Sequence, residues 1–429
     1  MSRLRRFVPC TLAALLMPTP LLAAEAIDKA DTAWMLVSSA LVLLMVPGLA
    51  MFYGGMVRSH NVLSTIMHSI VAMGLITLQW TILGYSLAFG SDVGGFVGGL
   101  EHIFLRGVGL EPNGTIPHLV FMVFQGMFAI ITPALISGAV AERMKFSTYC
   151  VFILVWATLV YDPIAHWVWG AGGWLLELGA LDFAGGTVVH LNSGISALVL
   201  ALMIGPRIGY KAQPMRPNSL VFTVLGAGLL WFGWFGFNAG SALGAGGSAA
   251  LAFVTTHIAA AAAAVSWTIA EWWHSRRPSM LGTASGLVAG LVVITPAAGF
   301  VSPMGALVMG LIGGVVCFIG VLIKHPLGYD DSLDAFGIHG IGGLLGALLT
   351  GVFATTIFNA DATPGVLEGN LSIMGPQLLG VLATIVYAGV MTYIIAKVLD
   401  WLMGLRVTED QEREGLDISQ HGEQGYWLN

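Results

Sequence analysis

The sequence predicts an all-α polytopic membrane protein with eleven transmembrane helices, arranged as two five-helix inverted repeats plus a final helix. Three observations predict this fold class. Of the 429 residues, 56% are hydrophobic and only 9% are charged, whereas about a quarter of the residues in a soluble domain are charged. The apolar residues fall into about eleven blocks of membrane-spanning length. Two of these blocks, five apart, begin with the same Asp-to-His spacing.

The composition also excludes several other classes of protein. So few charged residues speak against a soluble enzyme, and the net charge of -6 leaves no large basic surface for nucleic acid. Strands of a membrane barrel alternate apolar and polar residues, so continuous apolar blocks speak against that fold. The three cysteines, Cys10, Cys150 and Cys317, do not indicate a disulfide framework or a thiolate metal site. We therefore expect no nucleic-acid partner, no cofactor and no metal.

Residues 1–26 have the pattern of a secretory signal peptide. A basic start is followed by an apolar middle and by small residues, which is the order typical of such signals. Cleavage is predicted after Ala24 or Ala26. The alternative, an uncleaved first membrane helix, is disfavoured because two prolines interrupt a run that is too short to span about 30 Å. The mature chain would then begin outside the inner membrane of a bacterium.

The predicted spans form a membrane domain at residues 27–403. Repeat one covers about 32–205, repeat two about 219–356, and the last helix about 373–403. Each block is close to the ~20 residues that an α-helix needs to cross the bilayer core. The blocks lie at 32–57, 61–90, 117–141, 146–167, 183–205, 219–241, 248–273, 279–300, 303–323, 335–356 and 373–403.

Lysine and arginine set the predicted orientation, because they accumulate in cytoplasmic loops. If the chain starts outside and alternates, twelve of these residues fall inside and two outside. The amino terminus is therefore predicted to be periplasmic and the carboxyl terminus cytoplasmic, in a multi-pass protein of the bacterial inner membrane. The inside residues are Arg58, Arg143, Lys145, Arg207, Lys211, Arg216, Arg276, Arg277, Lys324, Lys397, Arg406 and Arg413, and the outside residues are Lys29 and Arg106.

The two repeats each carry an Asp–His pair of equal spacing. Asp182 precedes His190 by eight residues at the start of span five, and Asp331 precedes His339 by eight at the start of span ten. Spans five apart run in opposite directions, which is the plan of transporters whose site lies between inverted repeats. Eight residues of helix rise about 12 Å, so the two histidines can meet near the middle of a ~30 Å core.

His190 and His339 are predicted to be functional, because an ionisable group inside a span is a functional candidate. The alternative is that they only form interhelical hydrogen bonds. Two adjacent imidazoles cannot easily both be charged in a site of low dielectric constant, but one neutral ring can donate to the other. Asp182 and Asp331 also have a plain structural role, as caps of their helix N-termini.

Three other histidines are assigned to packing. His68 and His257 lie in spans two and seven, which are equivalent in the two repeats, and nothing beside them suggests a passage. We predict that both form interhelical hydrogen bonds. His166, near the outer end of span four, is also interpreted as a packing residue.

Aromatic side chains cluster toward the predicted outer face. Phe128, Trp169 and Phe237 belong to this cluster, and Ser241 follows closely. An anchoring belt at the membrane interface would explain any one of the aromatic residues. Glycines that alternate with aromatic residues over 231–241 favour a tightly packed wall instead, and a cation can rest against an aromatic face.

Seven segments carry a family resemblance. They are PGLAMFYGG (47–55), FQGMFAI (124–130), GAVAERMKFS (138–147), LDFAGGTVVH (181–190), GWFGFNAGS (233–241), DDSLDAFGIHG (330–340) and GLRVTEDQEREGLDISQHGE (404–423). On these motifs the chain resembles the ammonium transporter (Amt/Rh) family, in its bacterial branch, over nearly the whole mature length. The resemblance implies an eleven-helix protomer with a narrow pore in each subunit of a homotrimer.

The resemblance also implies roles for individual residues. A substrate-binding site for ammonium, with methylammonium as an analogue, would look outward, and two stacked phenylalanines would close the pore below it. The implied roles are Trp169, Phe128 and Ser241 for substrate binding, Phe128 and Phe237 for the pore gate, His190 and His339 for the twin-histidine pore, and Asp182 for deprotonation or structural support.

The implied function is channel-type transport of ammonium and ammonia rather than enzyme catalysis. Because a bare cation is costly at the bilayer centre, ammonium would lose its proton and cross as ammonia. The sequence leaves open whether the histidines relay that proton. The main alternative is an ammonium sensor, or transceptor. An ion-coupled carrier of another fold and a membrane enzyme are disfavoured, since mid-membrane carboxylates and a nucleophile or metal constellation are not found.

Residues 404–429 form a charged tail that is predicted to be cytoplasmic. Its composition alone predicts a solvated end. The resemblance implies a regulatory tail that docks a PII-type nitrogen signalling protein. Acidic residues of the tail could also dock on basic inside loops, although each exposed ion pair contributes only about 0–1 kcal/mol.

Overall fold

The structure, a computed structural model, describes residues 27–360 and 362–426. The predicted signal peptide and Cys10 therefore lie outside the described residues. Ten helices of the described part are long and apolar enough to cross a membrane, which confirms the all-α membrane fold. With the shorter α8 included, the helices are α1 (Lys29–Met56), α2 (Ser59–Phe89), α3 (His118–Val140), α4 (Phe146–Glu177), α5 (Gly186–Ile204), α6 (Leu220–Ala239), α7 (Gly247–Ser275), α8 (Met280–Ile294), α9 (Pro303–Leu327), α10 (Phe336–Phe353) and α11 (Leu371–Met403).

The span predicted at 279–300 is shorter than expected. Helix α8 has 15 residues and gives way to a turn over 295–300, so it rises only about 22 Å. The proline of Thr295-Pro296 has no backbone N–H to donate to a further helical turn. The carbonyl of Pro296 instead accepts from Phe183 N at 3.0 Å, which keeps this irregular backbone satisfied inside the protein. The count of eleven spans stays a prediction.

The helix ends define two faces of the bundle. The tail face holds the turns after α1, α3, α5 and α9, together with residues 404–426. The hairpin face holds the long connection between α2 and α3. That connection contains two small antiparallel hairpins and a short 3₁₀ turn, and another such turn precedes α11. These elements are β1 (Asp92–Val93), β2 (Val97–Gly98), β3 (Pro112–Asn113), β4 (Ile116–Pro117) and the 3₁₀ turns Ile103–Leu105 and Val366–Glu368.

Small residues allow the closest helix contacts. Helices α1 and α6, which begin the two predicted repeats, approach so closely that a Cβ on Gly226 would lie 2.3 Å from Phe52 N. Helices α5 and α10 cross in the same way. A Cβ on Gly194 would lie 2.1 Å from Gly340 N, and one on Gly343 would lie 2.6 Å from Leu191 N. Small residues at such crossings are typical of membrane helices. The inverted-repeat relation of the two halves stays a prediction.

Five of the helices contain a π-helical turn. Such wide turns are rare and occur mostly at functional sites. Two of them carry the paired histidines, and a third carries Phe237. The five turns are Trp80–Gly84, Ala157–Tyr161, Gly186–Leu191, Phe235–Ala239 and Phe336–Gly340.

Residues 404–426 of the tail pack against the tail face, so the solvated end expected from composition is wrong for this part of the tail. It forms two short helices, α12 (Glu409–Glu414) and α13 (Leu416–His421). Glu412 is buried, accepts from Ile208 N at 2.7 Å and pairs with Arg406 at 2.8 Å. Buried partners of this kind, rather than exposed charge pairs, hold the tail.

The tail and α2 cap each other. Asp417 Oδ1 accepts from Ser64 N at 2.8 Å, in the first turn of the α-helical part of α2, which begins at Val62 after a 3₁₀ turn at Ser59–Asn61. In return, Leu416 N donates to Asn61 Oδ1 at 2.8 Å. The first turn of a helix has free N–H groups and favours negative charge, so Asp417 supplies a cap from 353 residues away along the chain.

Candidate functional site

The structure brings His190 and His339 together inside the bundle. Their Nδ1 atoms lie 3.3 Å apart, and their ring centroids lie 5.3 Å apart at an interplanar angle of 20°. Both side chains are buried. Since one Nδ1 must donate and the other accept, the contact fits two neutral rings of different tautomer. The glycine crossing of α5 and α10 explains how the rings come so close.

Each histidine helix starts at an aspartate cap. Asp182 Oδ1 accepts from Gly185 N at 2.8 Å and Gly186 N at 2.7 Å, and Oδ2 accepts from Thr187 N at 2.8 Å. The hydroxyl of Thr187 also donates to Oδ2. These bonds match the expected cap role and fix the turn that carries His190.

Asp331 has the corresponding position at the tail face. Its carboxylate accepts from Ala335 N at 3.1 Å and Phe336 N at 2.8 Å. Burial raises the pKa of Asp331 to about 6, which the charge of Lys324 partly opposes. The two caps therefore share their geometry but differ in the number of N–H donors that they receive.

A small cavity is lined by the two histidines. We call it the central cavity. Apart from the imidazoles, its walls are apolar and aromatic. The lining residues are Met45, Leu49, Phe52, Ile131, Leu135, Val189, His190, Leu230, Trp234, Phe237, Val288 and His339.

Trp234 is a lining residue that sequence analysis did not single out. Its ring stacks on His190 at a centroid distance of 5.3 Å and an interplanar angle of 24°. Its Nε1 donates to Thr295 Oγ1 at 2.9 Å, so both the ring and its polar atom are fixed. Trp234 lies three residues before Phe237, on the same face of the helix. That spacing within GWFGFNAGS was the available signal.

A wider vestibule opens at the hairpin face. We call it the hairpin-face vestibule. Trp169, Phe128 and Ser241, the three residues predicted for substrate binding, all line it, together with Asp182. Trp169 Nε1 donates to Asp182 O at 2.9 Å, so the indole is tied to the cap of α5. The buried Gln125 also lines this vestibule, and sequence analysis missed it.

Two phenylalanine rings separate this vestibule from the central cavity. Phe128 lines the vestibule, and Phe237 lines the central cavity. Their centroids lie 4.3 Å apart, but the rings are inclined at 43° rather than stacked in parallel. Both rings are almost fully buried. They form an apolar layer between two spaces.

A third space opens at the tail face and is called the tail-face vestibule. Its lining includes the basic side chains of Arg207, Lys211 and Lys324. Arg207 binds Asp330 through Nε at 2.9 Å and also contacts Glu142 at 3.3 Å. Burial raises the pKa of Asp330, but the hydrogen bonds and charge of Arg207 outweigh burial and hold it below the usual value.

The interhelical hydrogen bonds predicted for His68 and His257 are not formed. His68 is buried, yet neither ring nitrogen has a hydrogen-bond partner among the described residues. Its ring meets Tyr149 edge-on at 4.4 Å. His257 is exposed on the side of the bundle and stacks on Trp231 at 5.3 Å. Both histidines make aromatic contacts instead. The sequence gives the composition around a histidine and its position in the helix, but these do not tell whether its neighbour is an aromatic ring or a hydrogen-bond partner.

The chain is similar to known proteins over almost its whole length. A model of the Ammonium Transporter Family matches residues 33–426. An "Ammonium transporter" of Bacillus subtilis is 50% identical over 400 residues, covering 92% of this chain and 98% of the relative. The crystal structure of Mep2 from Saccharomyces cerevisiae superposes with a TM-score of 0.84 at 39% identity and covers 91% of this chain and 92% of that one. A structure described as "Sensor Amt Protein" has a TM-score of 0.85 at 30% identity and covers 91% and 98% of the two chains.

Proposed function

Because the chain belongs to the Ammonium Transporter Family, we propose that it is a channel-type transporter that captures ammonium and conducts ammonia. The family is one of membrane transporters, not of enzymes, and it supports ammonium or ammonia as the substrate. The curated relative named for ammonium transport favours transport over sensing. The residue roles that follow belong to the proposal.

Capture takes place in the hairpin-face vestibule. Trp169 and Phe128 stand edge to face there, with ring centroids 5.8 Å apart, and offer aromatic faces to a cation. The hydroxyl of Ser241 is engaged as a donor to Phe237 O at 2.8 Å, so its free lone pair can accept from an ammonium N–H. Ammonium has both the charge and the N–H donors that this site requires.

Before it enters the central cavity, ammonium passes one proton to water in the open hairpin-face vestibule and continues as ammonia. The Phe128–Phe237 layer is apolar and almost fully buried, so an ion would lose its hydration there without compensation. Ammonia is small and neutral and passes when side chains move. Asp182 supports this step indirectly, because its carboxylate holds the start of α5 and its backbone carbonyl accepts from Trp169 Nε1 in the wall of the vestibule.

The paired histidines carry the proposal. The single observation behind it is a 3.3 Å contact between two imidazoles in an otherwise apolar cavity that lies between two vestibules. Neutral rings offer ammonia both a donor and an acceptor, which compensates for lost hydration. A proton relay along the rings is a further step of the same proposal.

Flux through the purified protein tests the proposed function. The protein is reconstituted in vesicles, an ammonium gradient is imposed, and lumenal pH and current are recorded. We expect lumenal pH to change with ammonium, and no flux with potassium at equal concentration. Binding of ammonium without any flux would contradict transport and support the sensor. Neither binding nor flux would contradict both functions.

The assembly and the cellular setting complete the proposal. The protein acts as a homotrimer in the bacterial inner membrane, with a periplasmic hairpin face, a cytoplasmic tail face and a cleaved signal peptide. A PII-type nitrogen signalling protein docks on the ordered tail. Removal of residues 408–429 is expected to impair this docking and to alter basal flux while the pore stays folded. A pull-down from membranes with and without the tail checks this, and full binding by the truncated chain would contradict it.

A further inference from the structure

Gln125 is a buried polar side chain that the proposed function does not use. It lies in α3, one helical turn before Phe128 and on the same face of the helix. Because α3 begins at the hairpin face with His118, Gln125 lies about 4.5 Å nearer to that face than Phe128 does. Its side chain lines the hairpin-face vestibule, at a depth that a cation reaches before it meets the Phe128–Phe237 layer.

Two other buried glutamines show what such a residue ordinarily does. Three glutamines are buried in the described part of the chain, and two of them use their amides inside the protein. Gln377 accepts from Leu181 N at 2.6 Å, and Gln79 donates to Asp162 Oδ2 at 2.7 Å. The amide of Gln125, by contrast, forms no hydrogen bond with any described residue.

The free amide of Gln125 reaches the open space of the vestibule. Among the described residues, neither of its polar atoms is sealed in the protein without a partner, whereas Oε1 of Gln79 is. Burial of an amide costs free energy unless the amide is hydrogen-bonded. Its partner must therefore come from whatever occupies the vestibule.

The other polar side chains of the vestibule are already engaged within the protein. Both oxygens of the Asp182 carboxylate accept backbone N–H groups, and Trp169 Nε1 donates to Asp182 O. The hydroxyl of Ser241 donates to Phe237 O, so that only its oxygen lone pairs are left. Among the described lining residues, Gln125 Oε1 and Ser241 Oγ are therefore the two neutral side-chain oxygens that accept no hydrogen bond from the protein.

Two neutral oxygens beside aromatic rings suit ammonium better than potassium. Ammonium carries its charge on N–H groups that point to the corners of a tetrahedron, and each makes a directional hydrogen bond. Potassium has no hydrogen, and channel filters replace its hydration shell with whole rings of carbonyl oxygens. The rings of Trp169 and Phe128 attract either cation, so discrimination between them falls to the oxygens.

We propose that Gln125 is a specificity-determining residue for capture: its side-chain carbonyl oxygen, together with Ser241, accepts an N–H of the ammonium ion before the Phe128–Phe237 layer. This inference rests on the proposed function, because it takes the hairpin-face vestibule as the capture site. A neutral amide selects for N–H groups without the attraction that a carboxylate has for every cation.

The test measures ammonium uptake into vesicles that hold the purified protein with its hairpin face outward. The half-saturating concentration and the maximal rate are determined separately. Gln125→Leu keeps a similar size without a hydrogen-bonding group and should raise the half-saturating concentration about tenfold or more, since a hydrogen bond to a charged group is lost.

Gln125→Glu should act in the opposite direction. Its carboxylate adds an attraction between opposite charges at an open site, so we expect the half-saturating concentration to fall about threefold or more. The maximal rate should fall as well, because a cation that is held more tightly leaves the vestibule more slowly. A side chain that only packs would not respond with opposite signs to these two substitutions.

Gln213→Leu is the matched control, because Gln213 lines the tail-face vestibule. It should keep the half-saturating concentration of the wild type. The inference is overturned if Gln125→Leu also keeps it, if the two Gln125 variants shift it in the same direction, or if Gln213→Leu shifts it as much as Gln125→Leu. If Gln125→Leu does not fold, Gln125→Glu decides, and the absence of a fall in its half-saturating concentration overturns the inference.

Equilibrium binding separates this inference from the proposed function. Binding of labelled methylammonium to the purified proteins is measured with potassium as the competitor. In Gln125→Glu, potassium should displace methylammonium at concentrations about threefold or more below those that the wild type requires. If the wild type binds but does not carry ammonium, transport fails, while the binding constants still decide the role of Gln125.

The remaining outcomes are equally distinct. If the wild type carries ammonium and both Gln125 variants match it in binding and in flux, only this inference fails. If the wild type neither binds nor carries ammonium, the proposed function and this inference both fail.

Discussion

The two vestibules differ in charge although each lies at the capped start of a histidine helix. Among its described lining residues, the hairpin-face vestibule has aromatic rings and no lysine or arginine. The tail-face vestibule has three basic side chains, Arg207, Lys211 and Lys324, and one carboxylate, Asp334. Positive charge repels a cation, whereas an aromatic face attracts one. The difference supports the proposal that cations are captured on one face only, while helices of both halves line the central cavity.

The largest effect is expected in the central cavity, at the paired histidines. His190→Ala and His339→Ala should each lower ammonium flux about tenfold or more, because truncation leaves the other buried imidazole unpaired at a cost of about 1–3 kcal/mol. Flux in vesicles measures this. His257→Ala removes an exposed histidine and is the control expected to keep normal flux. If both pore variants keep normal flux and normal discrimination against potassium, the pair is only structural.

The next effect should distinguish the two vestibules. Trp169→Leu removes a π face whose contact with a cation is worth about 0.5–2 kcal/mol, so we expect about a two- to thirtyfold rise in the half-saturating concentration of methylammonium. Tyr210→Leu makes a similar aromatic truncation in the tail-face vestibule and should leave uptake from the hairpin face unchanged. Equal effects of the two variants would contradict one-sided capture.

A smaller effect, which depends on pH, is expected at the aspartates that cap the two histidine helices. Because burial raises the pKa of Asp331 to about 6, from an ordinary value near 4, the folded state binds this proton more tightly than the unfolded state. The stability from this group is present at acidic pH and is lost as the pH rises from about 4 to about 6. The Asp331→Asn variant should not show this loss. Above about pH 6 we therefore expect its melting temperature in a thermal-unfolding scan to exceed that of the wild type by about 3 °C or more.

Asp182→Asn is the matched variant at the other cap. It should lower thermal stability at neutral pH, because the carboxylate of Asp182 accepts from the backbone N–H groups of Gly185, Gly186 and Thr187, each a charge-assisted bond. If Asp331→Asn has the same pH profile as the wild type, burial of Asp331 does not control its protonation.

The smallest effect is expected at the docked tail. Asp417→Ala removes the cap of α2, which is worth about 0.5–2 kcal/mol, and should speed hydrogen exchange of backbone amides over 409–421. Exchange followed by mass spectrometry measures this. Glu409→Ala, a mostly exposed residue of the same tail, is the control. Equal exchange in both variants would show that Asp417 does not hold the tail.

Much of the site was predictable, because the sequence alone gives the depth of a residue along its membrane span and the direction in which that span runs. The eight-residue spacing of Asp182–His190 and of Asp331–His339 placed both histidines equally far from opposite faces, and the structure brings them into contact. The family resemblance named Trp169, Phe128 and Ser241, which line one vestibule. Trp234 and the tail contacts were missed, since both depend on which neighbour a side chain meets. The partners of His68 were wrongly predicted for the same reason.

By itself, the sequence determined an all-helical membrane protein, the approximate position of its spans and the paired histidines, because span length, apolar content and residue spacing are local quantities. The tertiary structure alone decided how helices rotate and cross. That rotation stacks Trp234 on His190, leaves His68 without a hydrogen bond, and turns the amide of Gln125 toward the vestibule. It also folds the tail back onto α2. Such contacts join residues that are tens to hundreds of positions apart, and no local pattern specifies them.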